Sequence, residues 1–303
     1  MAGSWLRGRA KRSGETARRT RLPPELLVVA SLLSTQLGAA LAVTLFHEAG
    51  AAGTAFLRML FAGLALSAFG RPSRDALRDN ASVLFGFGFA LALMHLLIYE
   101  AYLRIPIGIA SALEFAGPLT VAAVGVRRVV DGLWVVLAAL GTLLLVRVES
   151  GAGPVQLLGV VFALGAGACW AAYIHLSRAV GARFSASSGL MAATLLGAAL
   201  LAPIGISEAA PVMTDPRVVG LACGVALLSS ALPFSLEMAA LRKMTPTQFG
   251  VLVSTSPAIS AGVGFLLLAQ SLSAIQIAGV LLVVAANAGA ALRVRDAAVS
   301  SRR

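Results

Sequence analysis

Ten long apolar stretches joined by short connections leave this chain few ways to fold. They run over approximately residues 26–46, 51–69, 81–103, 107–126, 131–148, 155–177, 187–206, 217–241, 246–269 and 273–292. Each holds about 18–25 residues, enough at a rise of about 1.5 Å per residue to cross a hydrocarbon core of about 30 Å. Positive charge sets their direction. Lys and Arg crowd every second connection: the N-terminal stretch from Arg7 to Arg21, then Arg71, Arg74 and Arg78, Arg127 and Arg128, Arg178 and Arg183, Arg242 and Lys243, and Arg293 to Arg303. Twenty basic residues fall on that side and three, Arg104, Arg147 and Arg217, on the other, while Arg58 lies inside a span. The positive-inside rule places both termini in the cytoplasm and makes the number of crossings even. The expected class is an all-α integral membrane protein with ten transmembrane helices.

Composition agrees. Charged residues make up 12% of the chain, against about 25% in an ordinary soluble domain, and the mean hydropathy is +0.89. A net charge of +11 would point to nucleic acid in a soluble protein. Here orientation and attraction to anionic inner-leaflet lipid account for it, and no connection interleaves basic with aromatic residues. Nucleic acid is not an expected partner; the lipid bilayer is. Cys169 and Cys223 fall inside apolar spans without metal-type spacing and read as buried thiols. The first 22 residues resemble the basic start of a secretory signal, but the run at 26–46 is longer than a signal core of about 7–15 residues. It reads as a first membrane helix that begins at Pro23 and Pro24, since proline is tolerated in a first turn.

The ten spans divide into five and five. Tyr99-Glu100-Ala101-Tyr102-Leu103-Arg104, followed by Gly117-Pro118-Leu119, parallels Leu236-Glu237-Met238 with Leu241-Arg242 and then Ser256-Pro257-Ala258. In each copy a Glu near the end of one span precedes a basic residue and a turn, and a Pro follows inside the next span. The Glu-to-Pro spacing is 18 in one copy and 20 in the other. Because five is odd, the second copy enters the membrane inverted, an arrangement shared by many secondary transporters. The expected units are a basic cytoplasmic tail at 1–25, a first five-helix repeat at 26–150, a second at 151–292 and a basic tail at 293–303.

Several segments resemble the EamA-type branch of the drug/metabolite transporter superfamily. Phe56-Leu57-Arg58-Met59-Leu60-Phe61-Ala62-Gly63 is similar to its second-helix signature, with a single Arg. Gly165-Ala166-Gly167-Ala168-Cys169-Trp170-Ala171-Ala172-Tyr173 with Ser177-Arg178 is similar to its sixth helix. The run from Ile105 to Leu119 and Leu232-Pro233-Phe234-Ser235-Leu236-Glu237-Met238 resemble the threonine/homoserine exporter group. The resemblance spans about residues 26–292 and implies a multi-pass bacterial inner-membrane exporter of amino acids or similar metabolites, driven by the proton gradient. One departure stands out. Small multidrug relatives carry an essential Glu in the first helix, where this chain offers Gln36, so their proton mechanism does not transfer.

Candidate site residues are those that are costly to hold in lipid: Arg58, Glu100, Glu114 and Glu237. Arg58 and Glu114 are each about the eighth residue of a span that starts at the outer face, so both lie roughly 10–12 Å deep. Matching depth makes an ion pair between them feasible, either fixing packing or holding the ammonium and carboxylate of a zwitterion. Glu114 is the first candidate proton carrier and Glu237 the second. A carboxyl in an apolar setting keeps its proton more tightly, and a nearby guanidinium works against that. Glu100 and Glu237 sit near helix ends and suit gates, with His95 and Tyr99 on one helical face at i, i+4. Trp170 and Tyr173 are candidate cavity aromatics, with packing or interfacial roles as the alternative. Pro118, Pro233 and Pro257 are candidate helix breaks, each freeing a carbonyl that must find a partner. His47 and His175 lack partners at metal-ligand spacing, and no metal or cofactor is expected.

Three classes of function compete. A secondary transporter of a small-molecule substrate, with protons as counter-ion, suits the repeat and the few buried charges. An intramembrane enzyme would need a nucleophile with a base, or metal ligands such as His-Glu-x-x-His, and the chain has neither. A scaffold without transport would not need charges at matched depth. No nucleotide-binding loop is present to support direct ATP drive. Among transporters, the alternative to amino-acid export is efflux of drugs or other metabolites.

Overall fold

A computed structural model describes residues 23–68, 70–124, 129–146, 156–184 and 186–300. Among these residues every regular element is helical. The basic N-terminal tail up to residue 22, Arg127, Arg128, Arg147 and residues 301–303 lie outside them.

The first element, α1, runs from Pro24 to Leu66, 43 residues, with proline in its first turn. A straight helix of that length would measure about 65 Å, twice the hydrocarbon thickness. It does not run straight. Gly50 breaks it with φ 64° and ψ 173°, and the chain folds back there. Ser34 Oγ, before the break, donates to Leu228 O at 2.7 Å, and Arg58 Nη2, after it, donates to the next carbonyl, Ser229 O, at 3.1 Å. Two side chains 24 positions apart can reach adjacent carbonyls only if the two arms run side by side. The Gly50 backbone conformation is one that L side chains rarely adopt, and a Cβ there would collide with the Glu208 carboxylate. That carboxylate accepts from Gly53 N–H at 3.0 Å, satisfying a donor that the first turn of the second arm leaves open.

A short helix α2 (Arg74–Asp79), capped by Ser73, leads into α3 (Ala81–Tyr102). The next apolar run is broken into α4 (Ile107–Glu114) and α5 (Ala116–Val124). Then follow α6 (Val129–Val146), α7 (Leu157–Gly181) and α8 (Ala186–Ala209). The run after Asp215 is α9 (Pro216–Ala226), a π-helical turn (Leu227–Ala231) and α10 (Leu232–Leu241). Thr245 and Gln248 form a reciprocal cap at the start of α11 (Pro246–Val253). Helix α12 (Ser256–Leu268) and helix α13 (Ala274–Ser300) complete the described chain.

Seven helical stretches are long and apolar enough to cross a membrane, and shorter apolar helices span Ile107–Leu119 and Val136–Leu145. Their outer surfaces carry Phe85, Phe89, Leu133, Leu140, Leu157, Val161, Phe265, Leu266 and Leu281, all at or above about two-fifths exposure. A soluble protein rarely shows so much contiguous apolar surface, whereas hydrocarbon accepts it. The fold is therefore an apolar all-helical bundle of membrane-spanning type.

Packing is by close backbone approach rather than large side chains. A Cβ on Gly117 would strike the Gly167 carbonyl, which seats α5 directly on α7, and Gly108 lies as tightly on Ala261, joining α4 to α12. Both α1 arms pack among α3, α8, α9 and α10. One end of the bundle gathers the Gly50 turn, Glu208, the Arg217–Glu48 pair and Gln270, whose Oε1 accepts from Ile107 N–H at 3.0 Å. At the other, Val28 and Leu32 pack with Met244 and Phe249.

Candidate functional site

The proline break at Pro233 prepares one wall of the interior. A proline lacks the N–H that would bond the carbonyl four residues earlier, so Pro233 strands Ser229 O. The chain widens into the π turn there, and the freed carbonyl is taken by the Arg58 guanidinium. Leu228 O is taken by Ser34. Pro257 sits in the first turn of α12, just after the break at Ser254 and Thr255. Pro118 follows the break at Phe115, on α5 and off the cavity wall.

The breaks surround a cavity of about 300 Å³. Both arms of α1 reach it, through Gln36 and Arg58; α3 contributes His95, Tyr99 and Tyr102, and α4 contributes Ser111 and Glu114. Trp170 and Tyr173 come from α7, Thr194 from α8, Ser229 and Ser230 from the π turn, Pro233 and Glu237 from α10, and Ser256 from α12. A mostly apolar chamber with a few convergent polar groups, near the lower end of the usual range of about 300–1,000 Å³, is what a small-molecule site requires.

Arg58 is the one Lys or Arg on that wall among the described residues. Its Nη1 donates to Tyr99 Oη at 3.1 Å and its Cζ lies 5.7 Å from the Tyr99 ring centre. Its Nε–H is buried without a partner. Glu114 lines the same cavity, yet no ion pair joins them, so the pair expected from equal depth is not formed. The stranded Ser229 carbonyl and the Tyr99 hydroxyl hold the guanidinium instead. Such an arrangement leaves a cation and a carboxylate apart, each able to meet the opposite end of a zwitterion.

Glu237 also lines the cavity and accepts from Ser31 Oγ at 2.7 Å. His95 Nδ1 lies 2.7 Å from Leu91 O, and because a carbonyl only accepts, that nitrogen carries the hydrogen and Nε2 keeps its lone pair. Trp170 packs edge-on against Phe115, centres 4.8 Å apart, and Tyr173 stacks on Phe87 at 5.1 Å. Glu100 stands apart. It forms a 2.5 Å ion pair with Arg104 one turn on and takes no place in the cavity wall, so the structure does not bring it to the other candidates.

Several wall residues were not among the sequence's site candidates. Gln36 donates through Nε2 to Ser256 Oγ at 2.9 Å, both side chains buried, and its Oε1 is a buried acceptor with no partner. Ser229 Oγ is buried and unpaired as well. Their shared signal was a polar residue inside an apolar span, too common in Ser and Thr to single out a site. No group of His, Cys, Asp and Glu among the described residues is arranged to hold a metal ion.

Comparison with known proteins places this architecture. A profile of the EamA-like transporter family matches residues 157–291. The threonine/homoserine exporters RhtA of Salmonella typhimurium (strain SL1344) and of Escherichia coli (strain K12) are each 39% identical over 274 residues, 90% of this chain and 92% of theirs. A crystal structure of a protein 18% identical in sequence aligns with a TM-score of 0.58, covering 90% of this chain and 98% of the other, which supports the fold. The relatives are carriers and not enzymes, and the chain is a multi-pass membrane protein like them. The chain belongs to the EamA-like transporter family, in the group of the threonine/homoserine exporters.

Proposed function

We propose that this protein exports small neutral amino acids of the threonine and homoserine type across the bacterial inner membrane, in exchange for protons. The observation that carries the reading is the cavity, where one guanidinium, Arg58, and two carboxylates, Glu114 and Glu237, face a common space without neutralising one another. Arg58 binds the substrate carboxylate, using the Nε–H that nothing else occupies. Glu114, which makes no ion pair among the described residues, meets the ammonium or a proton in turn. Glu237 is the second proton carrier, and His95, which lines the same cavity, is a further proton acceptor through Nε2.

In this reading the ten apolar stretches make ten crossings as two inverted five-helix repeats, 26–150 and 151–292. Both termini and both basic tails are cytoplasmic, as the twenty-to-three charge asymmetry requires. The seam of α4 on α12 then seals the outer side, and the cavity reaches from there towards Glu237 on the cytoplasmic side. A second reading, efflux of a drug or another metabolite, is favoured by the aromatic part of the wall, Trp170, Tyr173 and Phe234.

Proteoliposomes decide between them. The wild-type protein is expected to move labelled threonine when a pH gradient is imposed and to stop when it is collapsed, and Arg58→Ala is expected to abolish that movement. Transport of lipophilic cations without amino acids would overturn the amino-acid reading, and threonine flux indifferent to the gradient would remove the proton.

A further inference from the structure

The Gln36–Ser256 pair has no task in the reading above, and its cost needs an explanation. Gln36 is 4% exposed and Ser256 5%, on helices that meet from distant parts of the chain, and both line the cavity. A primary amide has two ends and Ser256 offers one hydroxyl. Whichever way the amide is turned, one end is left without a partner, here Oε1. A buried polar atom in that condition is destabilising in the empty site and calls for a group that completes it.

Charge decides which part of a substrate that is. The ionic ends of an amino acid are best met by ions in a low-dielectric site, and Arg58, Glu114 and Glu237 supply them. Among the neutral polar groups on the wall, Gln36 is the amide whose buried oxygen has no partner, and it stands beside the Ser256 hydroxyl, with spare acceptor capacity and no net charge. Its complement is a neutral donor that can also accept, which is an alcohol. We propose that Gln36 and Ser256 form the subsite for the side-chain hydroxyl of the transported amino acid and determine its specificity; this rests on the amino-acid reading of the cavity. A subsite built to hydrogen-bond a hydroxyl discriminates strongly against an isostere without one, because its own polar atoms are then left unpaired.

The test compares threonine with valine, which places a methyl where threonine has its hydroxyl. Initial rates of both are measured in proteoliposomes holding the full-length wild type, Gln36→Met and Ser256→Ala, with equal amounts of monodisperse protein. The wild type is expected to prefer threonine, and Gln36→Met to lower the threonine-to-valine ratio by about tenfold or more, mainly through slower threonine transport. Ser256→Ala is expected to shift the ratio the same way by a smaller factor, which serves as the second measurement should the amide variant fold poorly. Equal loss of both substrates would assign Gln36 to the shared ammonium or carboxylate and overturn the inference while leaving amino-acid transport intact. An unchanged ratio in both variants would overturn it too. A wild type that carries neither amino acid would overturn the inference together with the reading beneath it.

Discussion

Glu100 and Glu237 stand in similar local sequence settings and meet opposite fates. Each ends an apolar run, precedes a basic residue and a turn, and is followed by a helix that breaks near a proline. Glu100 is bound to Arg104 and lies off the cavity. Glu237 lines the cavity, held by the hydroxyl of Ser31 from the first arm of α1. One residue of spacing makes the difference. Four residues along a helix return to nearly the same face, so Glu100 and Arg104 meet, while five turn the next basic residue, Arg242, by about 140°. Arg242 is exposed at the end of α10, and the Glu237 carboxylate beside the chamber has no ion pair among the described residues. Similar local motifs thus yield one helix-end ion pair and one carboxylate on the cavity wall.

The largest effect should come from removing the charge that was left free. Glu237→Gln is expected to lower threonine export by about 100-fold at unchanged membrane level, a loss of roughly 3 kcal/mol in transition-state terms. Near-normal flux in that variant would erase the contrast between the two glutamates. A smaller effect is expected from giving Glu237 the neighbour that Glu100 has. Leu241→Arg places a cation four residues on, at a position already 40% exposed, and should draw the carboxylate towards the helix end. Export about tenfold slower is the expected result, by loss of about 1.4 kcal/mol of coupling. If flux is unchanged, helical spacing is not what separates the two sites. The smallest effect belongs to Glu100→Gln. A helical i, i+4 pair contributes about 0.3–0.5 kcal/mol, so thermal stability in detergent should barely move and export should stay within about twofold of wild type. A collapse of export in that variant would make Glu100 a gate in its own right.

Much of this site could be read before any coordinates. Arg58, Glu114, Glu237, His95, Tyr99 and Trp170 are conspicuous because charge and aromatic hydroxyl or indole groups are rare inside apolar runs, and all of them line the cavity. Pro233 announced a stranded carbonyl, and Ser229 O is that carbonyl. What misled was pairing by depth. Position along a span leaves the rotation of each helix free, and the guanidinium is turned towards Tyr99 and Ser229. Gln36 was noticed for the charge it lacks. Its partner Ser256 lies 220 residues away, and no local pattern links a lone amide to a lone hydroxyl across that distance.

The class of molecule, its apolar helical stretches, the places where they break and the family it belongs to are all legible in the order of residues. These follow from short-range physics: the cost of polar backbone in hydrocarbon, the missing N–H of proline and the run length needed to cross a bilayer. Which polar groups meet follows from the packing of the folded bundle. The fold-back at Gly50 brings both arms of α1 to the π turn, Glu208 fixes that fold-back from α8, and the contact of Gly117 with Gly167 sets α5 against α7. Each depends on how far one helix is rotated against another, a quantity set by packing over the whole bundle. In an apolar span almost every face is equally greasy, so periodicity carries no record of that rotation.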